Sequence, residues 1–537
     1  MSGSRNRLHR PGPLLVGIYI LFMPLLAGLP RGSMAPLVRP SEILQIGITA
    51  VGLVLVGGAL AAGHRSYLHL RPTEWWLGAV VIASSIAPLL WLAARGLPIE
   101  LKDVTASLPF IKYAALYFLA RVAVRSESDA ALVIRFIVGG ALIIASVAFA
   151  QAAGITQVND VLDRWFVTNA SDLIDNGRAR TTIGSSIATG SYLAMSCGLA
   201  LSFALGMKRI SWLVIAMVLG TGALATGQVG AVVVLVGVVL LVARFHGRLG
   251  LVVGLAVPVG AAALAILWPI VTTRLADIDP ATGLPGSWVV RWTNVTELYW
   301  PSLVDGGWIL GVGPDATIVP PDVWREQVFL ESGYLWLLWV GGLPLLTAAV
   351  GFLAAAWRDL GYSSVTGGSP VHAGRLAARA SIVMIAFMTV LDPHLTLRAE
   401  ADLFFIMLAV GAAAIPFVIG YEAPHQRWHD LIGLGLQPSG AVPSPAHPRA
   451  RLQISEANTD DDGGLDSGLA NLIEYRLALT VRADGHQLGR ATLVLYRYNS
   501  RLHGIVGDSV RAVDRDASAL VWRAIALCAD SLRLDSR

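Results

Sequence analysis

Twelve apolar stretches dominate the sequence, and each is a candidate for a helix that crosses a lipid bilayer. Of the 537 residues, 55% are hydrophobic and only 14% are charged, which is more apolar surface than one soluble core can bury. We therefore predict an all-α polytopic membrane protein with about 12 transmembrane helices. The predicted spans are 13–30, 42–62, 74–94, 105–123, 130–152, 185–206, 209–226, 228–243, 249–269, 332–356, 377–391 and 402–420.

The basic residues indicate an orientation for these spans. With the N-terminus inside, the inner segments hold more Lys and Arg than the longer outer loops. The start "MSGSRNRLHR" resembles a signal peptide, but no clear A-x-A cleavage site follows, so we interpret the first span as a retained helix. An even number of spans places both termini in the cytoplasm. The net charge of +4 forms no Lys/Arg stripe, which excludes a nucleic-acid partner.

Two predicted outer loops stand out by length, 153–184 and 270–330, and loops of this length are usually functional. The second lies between the ninth and tenth spans, and the window from Trp268 to Trp339 holds half of the chain's 16 tryptophans. Aromatic residues recur at helical spacing over 288–300, which predicts a short amphipathic helix on the outer leaflet. The tryptophans fit an interfacial aromatic belt, and their faces also suit stacking on sugar rings.

The composition divides the chain into three parts. We predict a transmembrane domain over 1–420, a flexible linker over 421–470 and a small α+β cytosolic domain over 471–537. The last part predicts a hairpin turning at Asp484-Gly485, a third strand near 502–513 and a helix near 516–532. The run "NTDDDG" resembles a calcium loop, but Leu469 stands where a bidentate Glu is needed. We predict no metal and no cofactor.

The polar residues of the outer face are the candidate functional residues. Arginine presents a fork of donors that matches phosphate oxygens, so several arginines at the membrane surface suit a lipid-linked diphosphate. Each of them also fits a helix end or a lipid headgroup. The carboxylate of Glu331 in "FLESGYLWLLWVGG" has two interpretations, a base for a sugar hydroxyl or a cap on the tenth span. The outer-face arginines are Arg39, Arg178, Arg180, Arg274 and Arg291.

The order of several motifs resembles the O-antigen ligase and O-antigen polymerase superfamily. A Trp-flanked arginine in "SWVVRWTNVTELYW" is followed by "GGWILGVGP" and then by "ESGYLWLLWVGGLPLL", and upstream lies "RARTTIGSSIATGSYLAM". The resemblance covers about 13–420 and is strongest in 286–346. Glu331 falls where ligases carry a functional histidine, Ser332 falls on their asparagine, and "TGQVGA" stands where many members have Thr-x-Ser-Arg-Gly.

This resemblance implies a fold like that of GT-C type glycosyltransferases and a metal-independent transfer of a glycan from a polyprenyl-diphosphate carrier to a glycan or glycolipid acceptor. The reaction belongs to exopolysaccharide or O-antigen-type synthesis at the outer face of the cytoplasmic (inner) membrane, with polysaccharide-assembly proteins as possible partners. Glu331 would be the catalytic base, and Arg291 would stabilise the leaving diphosphate. The substrate-binding candidates are Arg180, Arg178, Arg39, Arg274, Gly311 and Gly313.

Several functions compete. The replacement of the histidine by Glu331 favours a polymerase over an O-antigen ligase proper. A transporter or flippase for lipid-linked saccharides also explains many spans and outer arginines, but it predicts a polar path through the spans, where the sequence has few acids. A signalling protein anchored by its spans ranks last, because it makes no use of the long outer loops.

Overall fold

The computed structural model describes the chain in segments separated by gaps. The described residues are 11–30, 38–61, 70–124, 126–166, 178–266, 268, 272, 276, 278, 283, 286–315, 317–318, 328–361, 369–413, 439–441, 451–456, 472–483, 486–498 and 501–512. The chain forms two compact units, Met1–Ile419 and Gly420–Arg537.

The first unit is built mostly of helices, and each predicted span overlaps one of them. The helices are α1 Pro11–Leu26, α2 Pro40–Ala61, α3 Pro72–Ala94, α4 Leu101–Ser107, α5 Pro109–Ala123, α6 Glu127–Ala152, α7 Thr156–Trp165, α8 Ser186–Met207, α9 Ile210–Leu224, α10 Val229–Phe245, α11 Leu249–Ile266, α12 Gly286–Thr293, α13 Gly333–Gly361, α14 Pro370–Met388 and α15 Glu400–Gly411. Ser126, Ser185 and Ser369 cap α6, α8 and α14 by accepting a hydrogen bond from a first-turn N–H group.

Five of these helices, within the part of the chain that is described, are long and apolar enough to cross a membrane, namely α3, α6, α8, α13 and α14. Helices α1, α9 and α10 and most of α2 and α11 are shorter and apolar. By length and composition the protein is therefore an all-α membrane protein. The number of 12 spans stays a prediction.

Helix α8 forms the centre of the bundle, since its most apolar window is 94% buried. Small residues allow its neighbours to approach closely, as glycine and alanine do at membrane helix interfaces. A Cβ atom on Gly190 would collide with Ala231 of α10, and one on Gly198 would collide with Val238.

Helix α13 is broken near its N-terminal third. Gly341 and Gly342 leave helical geometry, and Gly342 has φ +63° and ψ −159°, a conformation available essentially only to glycine. The break frees backbone carbonyls, and the N–H groups of Val312 and Gly313 donate to the carbonyl oxygen of Trp339 at 2.7 and 3.3 Å. The loop that precedes α13 thus docks onto the broken helix.

The helix predicted over 288–300 is present. Helix α12 continues as wider π-helical turns over Asn294–Tyr299, and further turns reach Leu310. Trp288 and Trp292 are exposed, but Tyr299 is fully buried and donates to the carbonyl of Val328 at 2.5 Å. Val328 belongs to a two-stranded ribbon of β1 Thr317–Ile318 and β2 Val328–Phe329, which leads directly to Glu331.

The second unit contains a five-stranded antiparallel meander. Its strands are β3 Ser439–Ala441, β4 Arg451–Glu456, β5 Leu472–Ala483, β6 His486–Tyr498 and β7 Arg501–Ala512. The predicted hairpin is present, with Ala483 opposite His486 around the two predicted turn residues. Strands β3 and β4 fall within 421–470, the predicted linker, and pair with the sheet. The helix predicted near 516–532 lies outside the described residues.

Candidate functional site

The candidate site is built around an ion pair between Arg291 and Glu331. Nε of Arg291 lies 2.5 Å from Oε2 of Glu331. Both side chains retain solvent access, with Arg291 25% and Glu331 36% exposed. Arg291 projects from α12, and Glu331 lies between β2 and the start of α13. The structure therefore brings the two catalytic candidates into direct contact.

The same guanidinium also contacts Asp392, which the sequence analysis did not single out. Both terminal nitrogens of Arg291 lie 3.4 Å from the Asp392 carboxylate oxygens. Asp392 follows α14, and its backbone packs against Gly333, where a Cβ atom would approach the carbonyl oxygens of Thr389 and Asp392 to 2.8 Å. Burial raises the pKa of Asp392, although Arg291 and His394 oppose the shift. One arginine thus holds two carboxylates.

Beneath Asp392 lies a fully buried histidine–glutamate pair. Nδ1 of His394 is 2.7 Å from Oε1 of Glu400, and neither side chain reaches solvent. Burial alone would lower the pKa of His394, but the charge and hydrogen bond of Glu400 outweigh it and raise that pKa. Burial also raises the pKa of Glu400, against the charge and hydrogen bond of His394. The two groups therefore share a proton-binding site directly behind Asp392.

A short polar segment that runs from the end of α14 into the first turn of α15, residues 389–402 ("TVLDPHLTLRAEAD"), carries these groups and further contacts. Asp402 accepts from Tyr19 at 2.6 Å and from the backbone N–H of Ala399 at 3.1 Å, and Nζ of Lys112 lies 3.4 Å from it. Ala399 has φ +64°, a left-handed conformation that alanine rarely adopts. We call this segment the polar connection.

The polar connection also lies next to the other predicted arginine segments. Arg398 donates to the carbonyl of Ala27 at 3.4 Å, and the adjacent Gly28 donates to the carbonyl of Thr182 at 2.9 Å. Thr182 lies two residues after Arg180, so the segment that carries Arg178 and Arg180 is close to the polar connection. Tyr113 of α5, which lies near Arg39, donates to the carbonyl of Thr396 at 3.1 Å.

The arginines themselves occupy different environments. Arg180 is nearly buried and forms an ion pair with the half-exposed Asp163 of α7. It precedes Thr181, whose φ of +52° is unusual for a β-branched residue and is typical of strained functional segments. Arg178 and Arg39 are half-buried, and the backbone N–H of Arg39 donates to Glu42 at 3.1 Å. Arg274 lies outside the described residues.

The two predicted glycines lie in the turn that docks onto α13. Gly311 has φ +89°, and a Cβ atom there would approach the carbonyl oxygen of Val340 to 2.6 Å. A Cβ atom on Gly313 would make only an ordinary van der Waals contact, with Leu92 at 3.9 Å. Both positions hold the loop against the break in α13 and so support the approach of Arg291 to Glu331.

The residues that sequence analysis missed are Asp392, His394, Glu400 and Asp402. Three of them fall in the short interval between the last two predicted spans, and Asp402 is the first residue of the last span, so all four lie outside the two long predicted loops. The available signal was four charged residues and a histidine within "DPHLTLRAEAD", since ionisable residues close to membrane spans are costly and often functional. Within the described ranges, no group of three or more His, Cys, Asp or Glu side chains could hold a metal ion.

Comparisons with known proteins do not assign the chain to a family. No protein-family model matches the sequence, and no curated protein matches it.

Proposed function

We propose that this protein is a membrane glycosyltransferase that extends glycans carried on a polyprenyl diphosphate, at the outer face of the cytoplasmic membrane. The observation that carries the proposal is the ion pair of Arg291 with the partly exposed carboxylate of Glu331. The motif order of the O-antigen ligase and polymerase superfamily supplies the reaction class.

Glu331 is the proposed general base. Its carboxylate has solvent access, and Arg291 holds it in place on the opposite side from Asp392. The oxygen of the acceptor hydroxyl attacks the anomeric carbon of the donor sugar, and its proton passes to Glu331. The bond between that carbon and the diphosphate oxygen breaks, and the electron pair leaves with the polyprenyl diphosphate.

Arg291 links proton transfer to departure of the leaving group. In the resting site its charge is offset by two carboxylates, which weakens it as a ligand for diphosphate. Protonation of Glu331 removes one of those negative charges, so the guanidinium becomes available when negative charge develops on the diphosphate. Arg39, Arg178 and Arg398, on the segments around the polar connection, are the proposed additional phosphate ligands.

The test uses full-length protein in liposomes with a purified lipid-diphosphate oligosaccharide. The expected product is longer lipid-linked glycans with wild type and about 100-fold less with Glu331→Gln or Arg291→Ala. The matched controls are Glu297→Gln, an exposed acid on the neighbouring turns, and Arg164→Ala, an exposed arginine of α7. Unchanged glycan length with folded wild type, or full activity in Glu331→Gln, rejects the proposal. Supplying a lipid A-core acceptor separates an O-antigen ligase proper from a polymerase.

A transporter for lipid-linked saccharides is the second candidate, because α5 carries a partly buried charge near its start and a buried charge near its end. Lys112 pairs with Asp402, and Arg121 lies 3.7 Å from Glu74, with both of the latter side chains buried. Tyr117 donates to Glu74 at 2.8 Å. Transfer of the labelled lipid between leaflets without glycan growth favours this function over the transferase.

A further inference from the structure

A second group of basic residues lies at the opposite end of α14 from the candidate site. His372, Arg375 and Arg379 follow one another at helical spacing and so share one face of α14. From His372 to the end of the helix at Met388 the axis rises by roughly 24 Å. In a helix that crosses a membrane, this places the basic group near the other bilayer surface.

Arg375 is the buried member of the group. Arg375 is only 3% exposed, and its Nε donates to the carbonyl of Gly411 at 3.3 Å. One of its terminal nitrogens has no hydrogen-bond partner among the described residues. Among the described residues, no carboxylate oxygen lies within 4.0 Å of the nitrogen atoms of this guanidinium. A buried cation without a counter-ion is strongly unfavourable.

Arg379, one turn further along, is held by aromatic rings rather than by a carboxylate. Its guanidinium carbon lies 4.0 Å from the ring centre of Trp357 and 5.3 Å from that of Phe245. Stacking occupies the flat face of the guanidinium and leaves its edge N–H groups for another acceptor. Its Nε is buried and has no partner among the residues described.

Two histidines extend the group towards α10. The rings of His246 and His372 are 6.1 Å apart, and Nε2 of His246 lies 3.0 Å from the hydroxyl of Ser202. Burial, together with the charges of His372 and Arg248, lowers the pKa of His246 to about 4. Glu127 accepts the backbone N–H of Val371 at 2.8 Å, so this nearby carboxylate is engaged with the helix backbone and not with either arginine.

We propose that Arg375 and Arg379, flanked by His372 and His246, bind a phosphate group, supplied by the headgroup of an acidic phospholipid. A phosphate accepts several hydrogen bonds at once and matches the edge of a guanidinium, so it satisfies the nitrogen atoms that the protein leaves without acceptors. Basic pockets between helices at the membrane surface are suited to such headgroups.

The test uses the full-length protein in phosphatidylcholine nanodiscs, with phosphatidylglycerol or inorganic phosphate added in separate series. The readouts are the midpoint of thermal unfolding and the phosphatidylglycerol retained per protein, measured by native mass spectrometry. The variants are Arg375→Gln and Arg379→Gln, and the matched control is Arg209→Gln, an exposed arginine that follows α8 at the same end of the bundle. Arg379 is only half-buried, so its variant keeps the test valid if Arg375→Gln does not fold.

The expected result is stabilisation of wild type by phosphatidylglycerol, with about tenfold weaker retention in Arg379→Gln and no change in Arg209→Gln. If inorganic phosphate stabilises wild type but not Arg375→Gln or Arg379→Gln, the phosphate site is supported. Its ligand is then a soluble phosphate compound and not a lipid headgroup. Equal retention in wild type and Arg379→Gln, or no response to either ligand, overturns the proposal.

Discussion

Nε of Arg291 lies 2.5 Å from Oε2 of Glu331, and this contact joins α12 of the long outer loop to the start of α13. The pair is an electrostatic contact between the loop and the helical bundle.

The guanidinium group of Arg291 contacts the carboxylates of Glu331 and Asp392 at the same time, through different nitrogen atoms. Arg291→Lys keeps the charge but presents a single ammonium group, so we expect it to hold Glu331 or Asp392 but not both. Glycan extension should fall to a level between wild type and Arg291→Ala. Activity of Arg291→Lys equal to that of wild type would contradict the role of the fork.

The coupling between Arg291 and Glu331 is directly measurable. A double-mutant cycle of Arg291→Ala and Glu331→Gln on the rate of glycan extension should give a coupling of about 0.5–3 kcal/mol, since contacting residues are not independent. The same cycle with Glu297 in place of Glu331 should give additive effects. Additivity in both cycles would mean that the ion pair has no part in the reaction.

Gly333 sets the distance between Glu331 and Asp392. A Cβ atom there would approach two backbone carbonyl oxygens to 2.8 Å, so Gly333→Ala forces the start of α13 away from the polar connection. We expect a loss of activity and a destabilisation of about 1–3 kcal/mol, seen as a lower midpoint of thermal unfolding. Gly78→Ala is the matched control, since Gly78 lies in α3 with open space around it. Equal effects of the two substitutions would refute this role.

The His394–Glu400 pair predicts a dependence of stability on pH. The folded-state pKa of His394 is raised above its ordinary value of 6.5, so the pair contributes its full stability below that value. This contribution is lost as the pH rises through the folded-state pKa. Thermal unfolding of wild type should therefore occur at lower temperature as the pH increases above about 6.5, and His394→Asn should flatten this trend. An identical trend in the variant would place the titrating group elsewhere.

The buried pair of Arg121 and Glu74 separates the two candidate functions. Removing one partner leaves a buried charge and should cost about 3–5 kcal/mol, whereas the double replacement Arg121→Met with Glu74→Leu should recover much of the loss. A glycosyltransferase should retain glycan extension in the folded double variant. A transporter that uses this pair in its path should lose movement of the lipid-linked saccharide.

Hydropathy predicted the helical character of the first unit and the positions of most helices. Motif order singled out Glu331 and Arg291, which the structure brings into contact. Hydropathy placed the start of α14 too late, at 377 instead of Pro370, because its first turns carry His372 and Arg375 and so lack the apolar character of a span. The polar connection was missed for a related reason. Its importance comes from contacts with Arg291, Tyr19 and Lys112, which are distant in the sequence and are brought together only by packing of the helices.

The docking of the outer loop onto the break in α13 has a consequence for how such sequences diverge. The contact is made by backbone groups, through the N–H groups of Val312 and Gly313 and the carbonyl of Trp339, so it requires few particular side chains. Only glycine fits at Gly311 and Gly342, where the backbone is left-handed and crowded. Homologous chains should therefore keep glycine at these two positions while the residues between them drift, and the spacing of the glycines should identify distant relatives better than overall identity does.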